Sequence, residues 1–237
     1  MSRGTLFLRL VGPMQSWGNE STLTTRGVGD LPTRSGVTGL ACAALGISRE
    51  DHGDLEAFAK LQFAVCEIKR GIVERDFQTV GDTLTVEGKA RGTILSPRWY
   101  RCGAAYLAAF CGDSAFLNKV HQALRRPKWP LFLGRKSHVP SAPVAMVTAL
   151  WPDEIDAYFV AAQQGKHRCL KQAAEGAMSP IRNPSYFDVP VSFAARRFEP
   201  SVYQEVRADV DAAVLKEFNQ GLPLRLGNPT WRGGTVQ

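Results

Sequence analysis

The clearest pattern in the chain is TLFLRLV at residues 5 to 11. Leu6, Leu8 and Leu10 alternate at period two, which predicts a strand ended by Gly12-Pro13. A polar and aromatic loop, Met14 to Gly18, follows, and the Gly-, Thr- and Ser-rich stretch up to Pro32 reads as irregular. Val37, Leu40, Ala41, Ala44 and Leu45 then fall at helical spacing. Thr33 or Ser35 is the expected N-cap and Gly46 the residue after the helix end. A short helix is expected over 54–61 and a strand over 63–73. Residues 77 to 97, with Gly81, Gly88, Gly92 and Pro97, fit no core element and read as a projecting β-hairpin. Residues 99 to 111 form its return strand, with 102–112 buried. Asp113 or Ser114 caps a helix whose apolar face is Phe116, Leu117, Val120, Ala123 and Leu124. Pro127 ends it, and residues 144–151 supply a further strand. Beyond that the pattern weakens to a helix at 153–164, a strand-like stretch at 180–198 and a loose tail at 227–237.

The order β, α, β, β, α, β predicts an α+β fold of the ferredoxin-like type, the plan of an RNA-recognition module. Residues 1–150 would form this domain, with an inserted β-hairpin at about 76–101. Residues 151–237 would be a C-terminal extension packed on the same domain. A chain of 237 residues, 44% hydrophobic and 22% charged, suffices for such a core. No apolar run reaches membrane-spanning length, and Arg9 interrupts the only candidate leader at residues 5–8. Five scattered cysteines without a C-x-x-C pair argue against zinc and against a disulfide framework, and fit a reducing cytoplasm.

Charge placement sharpens this picture. The net charge is +7, and residues 86 to 136 hold ten Lys or Arg against Glu87 and Asp113. That window alone is +8, leaving the remainder at −1. Such concentration is the footprint of a polyanion partner. At its end lies RRPKWPLFLGRKSHVPSAPV, residues 125 to 144, too proline-rich for a helix. Its Gly-Arg-Lys-Ser resembles a phosphate loop, yet it lacks the G-x-x-x-x-G-K-[ST] spacing. A backbone-and-cation cradle for phosphate at Gly134, Arg135, Lys136 and Ser137 is the remaining reading. In the hairpin, Phe77, Trp99 and Tyr100 flank Lys89, Arg91, Arg98 and Arg101, a pattern suited to stacking bases and binding phosphates. His52, His121, His138 and His167 have no ligand-like spacing, so neither a metal nor a cofactor is expected. His138 beside Arg135 and Lys136, with Tyr100, is the one constellation that suggests metal-independent RNA cleavage. A structural histidine is the simpler account of it.

Four motifs carry a family resemblance: LRLVGPMQSWG at 8–18, PTRSGVTGL at 32–40, DFQTV at 76–80 and WPLFLGRKSHVPSAPV at 129–144. In this order they resemble the CasD family, the CRISPR-associated RAMP proteins of type I-E Cascade. YFDVPVSF at 186–193 is similar too. The resemblance implies a modified RNA-recognition palm with a β-hairpin thumb. It implies a non-catalytic subunit that binds the 5′ handle of crRNA beside the backbone subunit and the large PAM-reading subunit. Target DNA would be reached only through the complex. The alternative is an endoribonuclease that processes precursor crRNA, like a type I-C relative. Carried over by position, Gln15 and Trp17 fall in the loop after the first strand. Arg34 and Ser35 fall at a helix N-terminus, where phosphates bind readily. Gly134 to Ser137 match the family's glycine-basic loop. With Arg26, the hairpin residues and His138, these make up the expected RNA contacts.

Overall fold

The computed structural model describes residues 2–18, 27–51, 53–152, 154–173, 185–220 and 222. The first strand, β1 (Arg3–Val11), pairs antiparallel with β6 (Ala105–Asp113) over its whole length, from Arg3↔Asp113 to Val11↔Ala105. β6 also pairs with β3 (Gln62–Lys69). The sheet continues through β8 (His167–Gln172) and β10 (Arg197–Val210) to β7 (Phe159–Ala161), and β9 (Ser185–Ser192) adds to β10.

Both faces of this sheet are covered, so its central strands are apolar on both sides. Leu6, Leu8, Leu10, Phe63, Tyr106 and Phe110 face one core. That core is closed by α1 (Arg34–Leu45), α2 (Gly53–Ala59) and α3 (Ser114–Arg125). Phe7, Val11, Ala64, Leu107 and Ala109 face a second core, covered by α4 (Ile155–Tyr158) and α5 (Ala212–Gln220) through Tyr158, Val214 and Phe218. The charged residue that β1 places on this second face is Arg9, which is buried and donates to the carbonyls of Glu217, Phe218 and Pro143. It thereby caps the C-terminal end of α5, where carbonyls lack helical partners.

Local chemistry sets the helix ends. Thr33 caps α1, its hydroxyl accepting from Gly36 N at 3.2 Å, and Gly46 closes it at φ 76°. Asp113 caps α3, its carboxylate accepting from Phe116 N at 2.9 Å.

A separate three-stranded sheet holds the hairpin: β4 (Ile72–Leu84), β5 (Ala90–Cys102) and the two-residue β2 (Met14–Gln15). The expected strands over 63–73 and 99–111 are therefore each broken in two. The breaks fall at Gly71 (φ 64°) and Gly103 (φ 65°), where the chain leaves the body and returns. At Gly71 a Cβ would lie 2.4 Å from the Cys102 carbonyl oxygen, so only glycine fits the root. The hairpin spans 72–102, longer than 76–101.

Other expectations also change. The strand expected at 144–151 is reduced to two isolated bridges beside β1, Leu8↔Ala145 and Thr5↔Trp151. Between them the backbone is engaged elsewhere: Met146 O bonds the His121 ring and Thr148 N donates to Glu217. The helix expected at 153–164 shrinks to α4, because Phe159 joins β7 and is buried in the second core. The stretch 180–198 divides at a turn between β9 and β10, and its first residues, like the tail 227–237, lie outside the described residues. Cys66 and Cys169 face each other across β3 and β8 and form a disulfide, contrary to the reading of scattered cysteines. Strand register, invisible in sequence spacing, brings them together. Among the described residues, no helix is long and apolar enough to cross a membrane.

Candidate nucleic-acid interface

Three segments meet where the hairpin joins the body. The loop after β1 donates Ser16 N to Leu133 O at 3.0 Å, tying it to the 129–139 segment. The Arg135 guanidinium donates to Trp99 O at 3.0 Å, tying that segment to the foot of β5. Gly134, at φ 92°, sits so close to the first loop that a Cβ would lie 1.8 Å from Ser16 O. The glycine is required by this contact between loops, a different reason from a phosphate cradle. Leu133 N donates to His138 O at 2.7 Å and His138 N to Arg135 O at 2.8 Å, closing the loop on itself. Lys136 and Ser137 remain exposed at its tip.

Five expected RNA contacts turn inward. Gln15 is fully buried, its amide donating to Leu10 O and Ala104 O, while the Trp17 indole donates to Gln15 Oε1 at 2.9 Å. Trp17 packs its ring against Gly36 in α1. Arg34 is also fully buried, and its guanidinium donates to Phe58 O, Ala59 O, Leu61 O and Gln172 Oε1. It caps the C-terminus of α2 just as Arg9 caps α5, so its charge answers carbonyls instead of phosphate. Arg101 is buried in an ion pair with Asp30 and also donates to Gly29 O. His138 is buried behind the Tyr100 ring, 5.9 Å between centroids, with Nδ1 enclosed and unbonded. Burial first, then the neighbouring Arg135 charge, push its pKa below the ordinary 6.5, and the Leu133 backbone opposes this only in part. The ring is neutral at pH 7.

The outward-facing candidates are Ser35, Phe77, Lys89, Arg98, Tyr100, Gly134, Arg135, Lys136 and Ser137, each half-buried or exposed. Arg26 lies outside the described residues, and for Arg91 only the backbone position in β5 is described. These residues do not form one patch. Lys89 is at the hairpin tip, about 40 Å along β5 from the loop at its foot at strand rise.

Register sorts the hairpin into two unlike faces, since directly paired residues of antiparallel strands share a side. Arg75↔Trp99, Phe77↔Pro97 and Thr79↔Leu95 make one face, free of acids over these pairs. Phe77 there is 64% exposed. Glu74↔Tyr100, Asp76↔Arg98 and Gln78↔Ser96 make the other. On it Arg98 keeps Nε enclosed and without a bonding partner. Arg75, on the acid-free face, was not among the expected contacts; the alternation of residues 73 to 79 against 95 to 101 was the available signal. Among the described residues, no group of three His, Cys, Asp or Glu could hold a metal ion.

Known proteins share this architecture. A solved chain described as "Crystal structure of Cas protein" is 28% identical with TM-score 0.66, covering 86% of this chain and 95% of its own. Another, described as "CRISPR RNA-guided surveillance complex", is 26% identical with TM-score 0.69, covering 92% and 97%. These define the class as CRISPR-associated proteins. Residues 5–207 match the family model described as CRISPR-associated protein (Cas_Cas5), and the chain belongs to that family. It is also 37% identical over 149 residues to the CRISPR system Cascade subunit CasD of Escherichia coli strain K12. That alignment covers 57% of this chain and 66% of the relative, just under two thirds of its length.

Proposed function

We propose that the chain is a non-catalytic, cytoplasmic subunit of a type I-E CRISPR surveillance complex. It binds and caps the 5′ handle of crRNA and contacts the backbone subunit and the large PAM-reading subunit. The observation that carries this reading is the likeness to the Cascade subunit CasD, at 37% identity over 149 residues. In this reading β1, α1, β3, β6, α3 and the strip at 144–151 form a ferredoxin-like palm. β4 and β5 form the thumb, and β7 to β10 extend the palm sheet. RNA phosphates meet Lys136, Ser137 and Arg135, while Phe77 and Trp99 offer stacking surfaces with Arg75 between them. Lys89 and Arg91 at the tip serve RNA or a neighbouring subunit.

The non-catalytic part is supported by the burial of His138, which encloses its Nδ1 away from solvent. The rival reading, metal-independent cleavage of precursor crRNA, draws on the Tyr100–His138 contact beside Arg135. Incubating the purified chain with repeat RNA in EDTA separates the two. Intact RNA is the expected result; specific cutting lost in His138→Ala establishes the endonuclease. Coexpression with the other subunits and a guide tests assembly: Arg135→Glu with Lys136→Glu should prevent incorporation while leaving the circular dichroism unchanged. Binding to the handle should weaken steeply with salt, since phosphate contacts release counterions.

A further inference from the structure

A groove of about 790 Å³ runs between α1 and the 129–139 segment, with Gly134 and Lys136 on its border. Its floor is made of small positions on α1, Gly39 and Ala43 among them, and its walls of Trp129, Val139 and Phe193. Trp129 is 40% and Val139 60% exposed, so large apolar side chains stand open to solvent on its rim. Arg49 and Lys136 also line it, and among the described residues no Asp or Glu does.

We infer that this groove docks an apolar segment of a partner protein, helical in form and flanked by acidic side chains. Three observations favour that occupant over RNA. The floor offers no polar side chain to read a base edge. The two lining hydroxyls are engaged locally, Ser35 with Thr33 and Ser48 with Glu50 N. A base buried there would leave its donors and acceptors unpaired, which costs more than stacking returns. The groove's volume of about 790 Å³ has room for several apolar side chains, the anchors that one face of an amphipathic helix supplies. Its charge is one-signed, and Arg49, which the RNA reading does not use, complements acids on the flanks of such a helix while repelling a basic one. Gly39 keeps the floor open: a Cβ there would meet only Phe193 Cζ, at 3.7 Å. The inference concerns the docking of a protein neighbour and therefore deepens the assembly reading, but its test does not depend on assembly.

The full chain is titrated with a fluorescent helical peptide of about 14 residues carrying leucines at i, i+3, i+4 and i+7 and glutamates on the flanks. A counterpart with lysines on the flanks and a short single-stranded RNA complete the set. The acidic peptide should bind at least roughly tenfold tighter than the lysine form. Gly39→Leu fills the groove at a site where the helix gains propensity, so its melting temperature should not fall. It should weaken the acidic peptide at least about tenfold, as should the rim variant Val139→Glu, with RNA affinity unchanged. Equal binding of both peptides, indifference to Gly39→Leu, or displacement of the peptide by RNA overturns the proposal. So does peptide binding that appears only after residues 223–237 are removed, which would assign the groove to the chain's own C-terminus. If the peptide binds as expected but the chain fails to join a guide complex, the assembly reading falls and the groove stands.

Discussion

The β1–β6 and β4–β5 ladders are both long antiparallel pairings with opposite fates. From Thr5 to Val11 every residue of β1 is buried, and so is β6 from Ala105 to Gly112. In β4 no residue is buried, and Ile72, Val73, Phe77, Val80 and Leu84 stand exposed. The first ladder is the fold's core and the second contributes little to it. Two strands alone are marginal in water, so such a hairpin depends on its root contacts. The contrast separates residues that hold the protein together from residues that engage something else. It puts Arg34 and Gly134 on the first side and Phe77 on the second.

The sharpest test of that division is Arg34→Ala. It leaves the carbonyls of Phe58, Ala59 and Leu61 without a charged donor, and a loss of about 3 kcal/mol or more is expected in denaturant unfolding. A stable Arg34→Ala that fails only in RNA binding would move Arg34 to the ligand side. Gly134→Ala comes next. The Cβ overlaps Ser16 O and the left-handed backbone adds strain, so a loss of about 2 kcal/mol is expected, with the 129–139 segment losing hydrogen-exchange protection. For Phe77→Ala the comparison predicts the reverse: unfolding within about 0.5 kcal/mol of wild type, and single-stranded RNA binding weaker by roughly 1–2 kcal/mol. A stability loss there would mean that the hairpin packs on the body.

The smallest effect concerns pH. His138 has a folded pKa below its unfolded value of 6.5. The unfolded chain therefore takes up the proton first. Stability is full above about pH 6.5 and falls as the pH drops toward the lowered folded value. His138→Gln should flatten that slope between pH 7 and 5. An unchanged slope would mean that the ring is solvated.

Much of the body was legible because burial writes itself into pattern. The alternation in TLFLRLV predicted β1, and Thr33, Gly46 and Asp113 marked helix ends by capping chemistry. The strands after residue 151 were obscure. HRCLKQ buries only Cys169 and Leu170, and β10 buries Ser201 and Tyr203 while exposing Val202 between them, so apolar counting misses both. The interface was legible in composition and misread in orientation. Gln15, Trp17, Arg34 and Arg101 have the residue types of an RNA contact, but each meets a partner distant in sequence that settles which way it points. Gly134 drew notice for the wrong reason, since nothing local to Gly-Arg-Lys-Ser announces the Ser16 carbonyl.

The paired glycines at the hairpin's root have a further consequence for how its length can vary. Gly71 and Gly103 fix the direction in which both strands depart, and from there as far as Val80 and Ile94 the side of each residue is set by counting in twos. Lengthening each strand by two residues below Arg75 and Trp99 carries the acid-free face outward with its aim intact. Lengthening each by one swings Phe77 and Trp99 to the opposite side and brings Glu74 and Asp76 round in their place. The hairpin is thus a ruler graduated in even steps, free to change reach among relatives without any adjustment of the body that carries it.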